Sequence, residues 1–581
     1  MKLIDALSIS RRASDLPGRP TTVFLACGFT PLHLQTLLRG YLQVASPRHR
    51  INVTHGLYGD LIGNLHRVEH GADGVAVVVE WSDIDARLGF RSQSTWDGAE
   101  LNDLLESSCR QLDRIRKALE RLTVHVALAL PTSPLPVMTT YPARQLSVFE
   151  AQLRSVLASF TASVALQEHV RIASPQQLST EDRISDRFDL RGEITMGFPY
   201  SAEYTRQLAQ TLAALIAPPV RKKAIITDLD DTLWLGLVGE IGVSNVSWSL
   251  ETGGQIHGIY QRLLASLAST GTLIGIASKN ELEIVDEVLE RPDILLPKKA
   301  LYPIYATWRP KSESVRETLR VWNIAADSVV FIDDNPMEVA EVSAAFPEME
   351  CLPFPKKDYR AFLQFLSNLC NHFGTARVLK DDAIRVESVR ANSVFQNLAQ
   401  SSTNEMDDFL STTSAEIHFV CGNTPGEREL DLLNKTNQFN LNGRRISQVD
   451  WIRHAEQPGA FVLTATYRDR FGPLGTVAVL AGRITSGEVH LLHWAMSCRA
   501  FSRRIEHACV AWLFEHFRCS EVHLYFSETP RNQPMQLFLA SYKESSSNIP
   551  IRLSREEFTN RCPTLFHSTQ QTEKHLLRTT A

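Results

Sequence analysis

The sequence predicts an α/β chain of several domains. Three observations predict it. Short apolar runs rich in β-branched residues alternate with helix-period segments from residue 20 to 135, and again from 221 to 352. Residues 380–540 instead string strand-like runs together between helices, the pattern of an α+β domain. The chain has 581 residues, and at roughly 100–200 residues per domain this implies three or four domains.

In the N-terminal part, TVFLACG (22–28), GVAVVVEW (74–81) and VHVALALP (124–131) read as buried strands. Helical patterns lie at 32–43, 99–122, 146–168 and 201–216. Alternation of this kind places parallel strands in a sheet with helices on its faces. Pro218-Pro219 breaks the chain and sets a first boundary, giving an α/β domain over 1–218. The βα rhythm resumes with KAIITDLDDT (223–232), a helix around 255–269, GTLIGIASKN (271–280) and SVVFIDDNP (328–336). A helix within 353–375 closes a second domain, 219–376. The third domain, 377–581, begins with a helical entry (383–411). AEIHFV, a helix at 426–435 and strands at 461–470, 475–484 and 488–497 follow, then a helix at 503–517 and the strand EVHLYF (521–526). The polar tail after 562 is expected to fray.

Hydrophobic residues make up 44% and charged residues 22%, ordinary values for a globular chain. A net charge of −5 with no long basic run argues against nucleic acid as a partner. No window approaches the ~18–20 apolar residues of a membrane span, and residues 1–20 lack the apolar stretch of a signal peptide. The nine cysteines are scattered without a CxxC pair, so neither a zinc knuckle nor a disulfide framework is expected. Together these features predict a cytoplasmic protein with reduced thiols.

The candidate site lies at strand ends. Ligands of open parallel sheets bind beyond the carboxyl ends of the strands. Asp228-Leu229-Asp230-Asp231-Thr232 follows the apolar run AIIT. A carboxylate there, Asp228, can attack phosphorus and form an aspartyl phosphate. Asp230, two residues on, can protonate the leaving oxygen and then activate water. Ser278 ends the strand LIGIAS and can hydrogen-bond the transferring phosphoryl group. Lys311, in WRPK, can neutralise charge on nucleophile and phosphate. Asp333 and Asp334 follow VVFI and can supply carboxylates for a metal, Asp334 as an additional candidate. Anions this crowded around a phosphate require a cation, and Mg2+, a hard ion that takes carboxylate and phosphate oxygens, suits best, with Asp228, Asp230 and Asp333 as ligands. Thr232, Lys279 and Asn280 are further candidates. A lone Asp-x-Asp is usually a turn, but DxDxT, S, K and DD in this order, three of them at strand ends, are not explained so simply.

This order of motifs resembles the haloacid-dehalogenase superfamily. Read more fully, DLDDTLWLGLVGE (228–240), ASKNELE (277–283), WRPKSESV (308–315), FIDDNP (331–336), NKTNQFNLNGRR (434–445), YRDRFGPLG (467–475) and MSCR (496–499) resemble the FkbH-like family, subfamily IIIC. The resemblance implies a Rossmann-like central domain, an SGNH-like domain before it and a GNAT-like domain after it. It also implies a reaction: dephosphorylation of 1,3-bisphosphoglycerate and loading of a glyceryl thioester on an acyl carrier protein for polyketide-type biosynthesis. The same resemblance gives Asp228 as nucleophile, Asp230 as acid/base, Ser278 and Lys311 as phosphate binders and Asp333 as metal ligand. Only 33 residues separate Ser278 from Lys311, too few for a large lid domain, which suits a carrier-borne phosphate as well as a small phosphorylated substrate.

Several positions depart from the family pattern. Ala277 stands where relatives often carry cysteine, which favours an alternative: a magnesium-dependent phosphatase on another phosphorylated metabolite or carrier-bound intermediate, without acyl transfer. A docking protein with a vestigial site is a third reading, opposed by the complete set of acids. In Arg499-Ala500-Phe501-Ser502-Arg503-Arg504, Ser and Arg replace the two glycines of a pyrophosphate turn. There Arg503 and Arg504 either grip a carrier's phosphopantetheine or merely begin a helix. Cys498 is either an acyl-carrying thiol or a buried one. Lys435, Asn437, Gln438, Asn440 and Arg444 crowd a polar run, as do Arg468, Asp469 and Arg470; each run either binds substrate or carrier or shapes turns. Arg531 and Asn532 are expected to organise a turn. The N-terminal domain has Cys27-Gly28-Phe29-Thr30 where a hydrolase would place a serine, and Asp186 and Asp189 without an adjacent histidine. It is expected to be a scaffold or carrier-docking domain.

Overall fold

The computed structural model describes residues 1–573 except 17–18, 48, 69–71, 93–97, 137–141, 143, 180–186, 220, 376–383, 402–405, 424–425, 437, 447 and 543–549. The chain is α/β and divides into two compact units, Met1–Pro219 and Val220–Ala581. Among the described residues no helix is long and apolar enough to cross a membrane.

The first unit holds five parallel strands, β1 (Thr21–Cys27), β2 (Ile51–His55), β3 (Gly74–Val78), β4 (His125–Ala129) and β5 (Val170–Ile172), in the order β2-β1-β3-β4-β5. β3 is buried along its whole length, as its unbroken apolar run requires. β2 and β5 are edge strands, and β2 buries only alternate residues, so INVTH carries no continuous apolar signal. Helices Leu32–Ala45 and Ala202–Ile216 cover one face through Leu34, Leu38, Leu208 and Leu212. Helices Gly98–Glu120 and Val148–Val164 cover the other through Leu112, Ile115, Phe149 and Leu153. Cys27 ends β1 buried, its Sγ donating to the Phe29 carbonyl at 3.3 Å. Burial, then the nearby Asp83, pushes its thiol pKa far up, which removes it as a nucleophile. Asp189 caps the helix Leu190–Met196 by accepting from Gly192 N at 3.0 Å. Asp186 lies outside the described residues.

The second unit begins with another all-parallel sheet. Its strands are β6 (Ala224–Thr227), β7 (Leu273–Ser278), β8 (Leu301–Ala306), β9 (Val329–Asp333) and β10 (Glu350–Pro353), ordered β10-β9-β6-β7-β8. The three strands whose ends carry the expected chemistry are the three central ones, each wholly buried. β8 and β10 are edge strands of mixed burial, so neither is an unbroken apolar run. The helix Gln255–Ser269 braces the turn after β6: His257 Nδ1 lies 2.9 Å from the Thr232 carbonyl, Gln261 Nε2 donates to the Leu233 carbonyl at 2.9 Å, and Tyr260 donates to Thr227 Oγ1 at 3.1 Å.

The helix Arg385–Ser401 leads into a mixed sheet of β11 (Glu416–Gly422), β12 (Phe439–Asn440), β13 (Ala460–Asp469), β14 (Gly472–Thr485), β15 (Glu488–Met496), β16 (Glu521–Leu524), β17 (Ile551–Ser554) and β18 (Ser568–Glu573). The order is β17-β16-β15-β14-β13-β11-β18, with β12 on β15. The boundary expected at 376–377 lies outside the described residues. The tail does not fray at once after 562: residues 568–573 pair with β11 in parallel, because backbone hydrogen bonding along an open edge needs no apolar side chains. Asn532 organises its turn as expected, its amide donating to the Asn440 and Ser527 carbonyls at 3.0 and 2.9 Å.

Candidate active site

Asp228 leaves β6 with its N–H on the Ile332 carbonyl of β9 at 2.9 Å, which fixes it beside Asp333 at the sheet's carboxyl end. Lys311 begins the helix Lys311–Trp322 and reaches both carboxylates: its Nζ lies 2.9 Å from Asp228 Oδ2 and 2.5 Å from Asp333 Oδ2. None of the three is more than 6% exposed. Burial raises the pKa of Asp228 and outweighs the opposing pull of Lys311. Burial, then the Asp228 charge, pushes Asp333 up to about 7. Burial works against the Lys311 ammonium, but its two carboxylates outweigh it and hold its pKa above the usual lysine value.

Ser278, at the end of β7, is 2% exposed, and its hydroxyl opposes the burial-driven rise in the pKa of Asp228. Asn280 links the strand ends: its Nδ2 donates to Ser278 Oγ and to Asp230 Oδ2, both at 3.1 Å. Asp230 Oδ1 accepts from Trp234 Nε1 at 2.8 Å and from Val238 N at 3.1 Å. Its side chain thus belongs to the turn and the second strand end, and it stands outside the group of carboxylates that Asp228, Asp333 and Asp334 form within 4.8 Å of one another. Thr232 Oγ1 accepts from Asp334 N at 3.1 Å and ties the first motif to the last. Lys279 is engaged by Glu338 at 2.6 Å. Asp231 sits in the left-handed region at φ +51°, secured by Gly236 N on its Oδ1 at 2.9 Å.

Lys356 joins this cluster although no motif in the sequence marks it. It bridges Asp231 Oδ2 at 2.8 Å and Asp334 Oδ2 at 2.7 Å. It lies in the loop after β10, on the neglected edge strand, and Lys-Lys in a loop carries no signal of its own. Asp228 Oδ1 is buried without a hydrogen-bond partner among the described residues. A buried, unpartnered carboxylate oxygen within a cluster of three acids fits a hard divalent cation, which offers the charge the two lysines do not fully supply.

Cys498 is not part of this group. It follows β15 and borders a cavity at the amino end of the parallel sheet, with Lys435, Gln438 and Arg531. Arg503 is wholly buried, on Asp469 Oδ2 (3.2 Å), Asn392 Oδ1 (2.8 Å) and the ring of Phe395, so it grips nothing external. Arg504 pairs with Asp407 and the Thr564 carbonyl. The glycine-like positions Ser502 and Arg504 nevertheless keep left-handed backbone, φ +66° and +58°. Asn440 shapes its own turn through Asn442 N and Gly443 N, and Asp469 holds Phe471 N. Asn437 lies outside the described residues.

Fold and site together define a parallel α/β sheet with a carboxylate cluster at its carboxyl edge. Ten solved protein chains match the structure, among them the N-terminal part of BF1531 from Bacteroides fragilis, described as containing a phosphatase domain complexed with Mg. The match covers 65% of this chain and all of that one, at 22% identity and a TM-score of 0.54, and shows a shared fold. No family model matches the sequence, and no curated protein does.

Proposed function

We propose that this chain is a magnesium-dependent phosphatase that transfers the phosphoryl group of a small phosphorylated substrate to Asp228. The observation that carries the reading is Asp228 itself: a strand-end carboxylate with one oxygen 2.9 Å from Lys311 and the other buried and unpartnered beside Asp333 and Asp334. The Mg of the similar BF1531 fragment supports the choice of ion. Asp228, Asp333 and Asp334 would hold it, and when bound it supplies positive charge that lets a phosphate approach these carboxylates.

Asp228 attacks phosphorus, and the bond to the leaving oxygen breaks as an acyl phosphate forms. Asp230, oriented by Trp234, Val238 N and Asn280, gives its proton to that oxygen. It then takes a proton from the water that attacks the acyl phosphate, releasing phosphate and restoring the Asp228 carboxylate and the protonated Asp230. Lys311 offsets charge on Asp228 throughout, and Ser278 donates to the phosphoryl oxygens.

The finer reading is that the substrate is 1,3-bisphosphoglycerate and that the glyceryl group passes to an acyl carrier protein. The resemblance of 228–240, 308–315, 434–445 and 496–499 to FkbH-like proteins supports it, as do the small inserts around the site. Ala277, wholly buried and without a thiol, favours the second reading, phosphate release without acyl transfer. The N-terminal unit, its Cys27 buried and protonated, is read as a scaffold or docking domain in a cytoplasmic enzyme. The test combines protein, magnesium, acyl phosphate donor and pantetheinylated carrier. Phosphate release that fails in Asp228→Asn supports the phosphatase, and a carrier gaining the glyceryl mass supports transfer. Release that persists in Asp228→Asn overturns the site, whereas release with an unchanged carrier mass leaves the simpler phosphatase.

A further inference from the structure

A cavity of about 370 Å³ lies where the two sheets of the second unit meet. One wall is the amino end of the parallel sheet, where Lys223 precedes β6, Leu273 begins β7 and Ser328 precedes β9. The carboxylate cluster is at the other end of those strands. Five residues from Lys223 to Asp228 at ~3.3 Å per residue place the two about 16 Å apart. The facing wall comes from the C-terminal sheet and its helix Glu427–Lys435.

Six cations line the cavity, Lys223, Arg385, Arg428, Lys435, Arg499 and Arg531, against two acids, Glu348 and Asp431, and Arg531 is paired with Asp327 beyond the lining at 2.8 Å. Asp431 is already engaged by Lys435 at 2.7 Å and Arg428 at 3.2 Å. Lys223 Nζ donates to the Lys435 carbonyl at 2.9 Å and meets no carboxylate within 4.0 Å among the described residues. Burial, then the charge of Arg385, pushes its pKa down to about 8. Gln438 turns its amide toward Asn323 Oδ1 (3.2 Å) and leaves Oε1 buried without a partner among the described residues. Trp322, Leu432 and Met496 supply apolar wall. Like charges packed into a partly apolar cavity are costly unless an anion joins them.

We propose that this cavity is a second ligand site that binds an organic phosphate, its phosphate among Lys223, Arg385 and Lys435 and its body against Trp322 and Met496. The proposal is independent of the reaction at Asp228. Cys498, on the cavity wall, is the reporter. The test follows alkylation of Cys498 by iodoacetamide in the full-length Asp228→Asn protein with EDTA, read by peptide mass, with exposed Cys109 and Cys370 as internal controls. Phenyl phosphate is expected to slow Cys498 labelling at least fivefold and saturably, phenol not at all, with the controls unchanged. Lys223→Gln and Lys435→Gln are each expected to raise the half-protecting concentration at least tenfold, and Lys223→Gln to raise the melting temperature of the empty protein. Unchanged Cys498 labelling at saturating phenyl phosphate, or protection indifferent to both substitutions, overturns the proposal.

A different observation carries a metal site. β15 and β16 run parallel with His490 opposite His523, and Glu488 and Glu521 stand two residues before each, on the same face. Glu488 Oε2 lies 3.2 Å from His523 Nε2 and 3.9 Å from His490 Nε2, and Glu521 Oε2 lies 3.4 Å from His523 Nε2. His523 is 5% exposed, and among the described residues its Nε2 forms no hydrogen bond and faces only these carboxylates. Ligand bonds of ~2.0–2.1 Å put tetrahedral ligands about 3.3 Å apart, close to these separations. His490 Nδ1 faces the Tyr525 hydroxyl at 3.4 Å, an outer partner of the kind zinc-bound imidazoles keep. We infer that Glu488, His490 and His523, whose ligand atoms lie within 4.8 Å of one another, form a zinc site, with Glu521 beside it on His523. The test is cobalt titration of the full chain. Wild type and Asp228→Asn are expected to show the intense visible bands of a tetrahedral nitrogen-ligated ion, and His490→Gln and Glu488→Gln to lose them. Bands that survive both substitutions, or that never form, overturn it.

Discussion

Replacing Lys311 by methionine removes the one cation between two buried carboxylates. Its Nζ is 2.9 Å from Asp228 and 2.5 Å from Asp333. At an effective dielectric of about 20, each attraction is of order 6 kcal/mol. The variant does not lose that sum, because a stranded carboxylate takes a proton instead. Against an unfolded pKa of about 3.9, holding a carboxyl protonated at pH 7 costs about 4 kcal/mol, and at pH 5 about 1.5 kcal/mol. Asp333 already stands at about 7 in the parent, so the variant's new cost falls mainly on one carboxyl. The expected loss is therefore about 4 kcal/mol at pH 7, within the range for breaking a buried pair. The sign is fixed: a raised folded pKa means that the native state binds the proton more tightly, so the deficit shrinks as pH falls from 7 to 5. Urea unfolding followed by tryptophan fluorescence, with EDTA present and at pH 5, 6 and 7, reads this directly. A loss below about 1 kcal/mol at pH 7, or one that does not change with pH, would refute the buried three-group bridge.

Further outcomes follow from the same geometry. Asp228→Asn should lower phosphate release by at least about 10³-fold while the melting temperature holds or rises, since one of three crowded carboxylates becomes neutral. Asn280→Ala should lower kcat about tenfold with little change in KM, because Asp230 loses the donor that orients it at 3.1 Å. Magnesium at about 100 times its Kd should add about 2.7 kcal/mol of stability, and Asp333→Asn should abolish that gain. Burial, then the charge of His454, holds His493 down to about 4. The unfolded chain therefore takes up the proton first, and stability should fall between pH ~6.5 and ~4 by up to about 3 kcal/mol, a slope that His493→Gln should flatten in acid-unfolding curves.

The strand-end chemistry was legible because each residue follows a fully buried strand, and buried central strands are unbroken apolar runs: AIIT before Asp228, LIGIAS ending in Ser278, VVFI before Asp333. The edge strands INVTH, LYPIYA and STQQTE were not, since one side of each meets solvent or a helix and their composition follows that mixed setting. Lys356 was illegible for the same reason, as it hangs from an edge strand. The orientation of Asp230 depends on Trp234 and Asn280, contacts that no spacing rule encodes. The polar run around Lys435 and the lone Cys498 stood out in the sequence, but their meeting with Lys223 depends on how two sheets pack. Arg503 looked like a ligand grip and is a core cation, held by an aspartate 34 positions upstream.

The pairing of Ser568–Glu573 with Glu416–Gly422 has a practical consequence. Those six residues, none of them apolar, are what caps an otherwise naked ladder of amide and carbonyl groups. A version of the chain cut back to residue 565 would present β11 as a bare template to its neighbours. Such a protein should assemble into concentration-dependent polymers even though its carboxylate cluster is untouched.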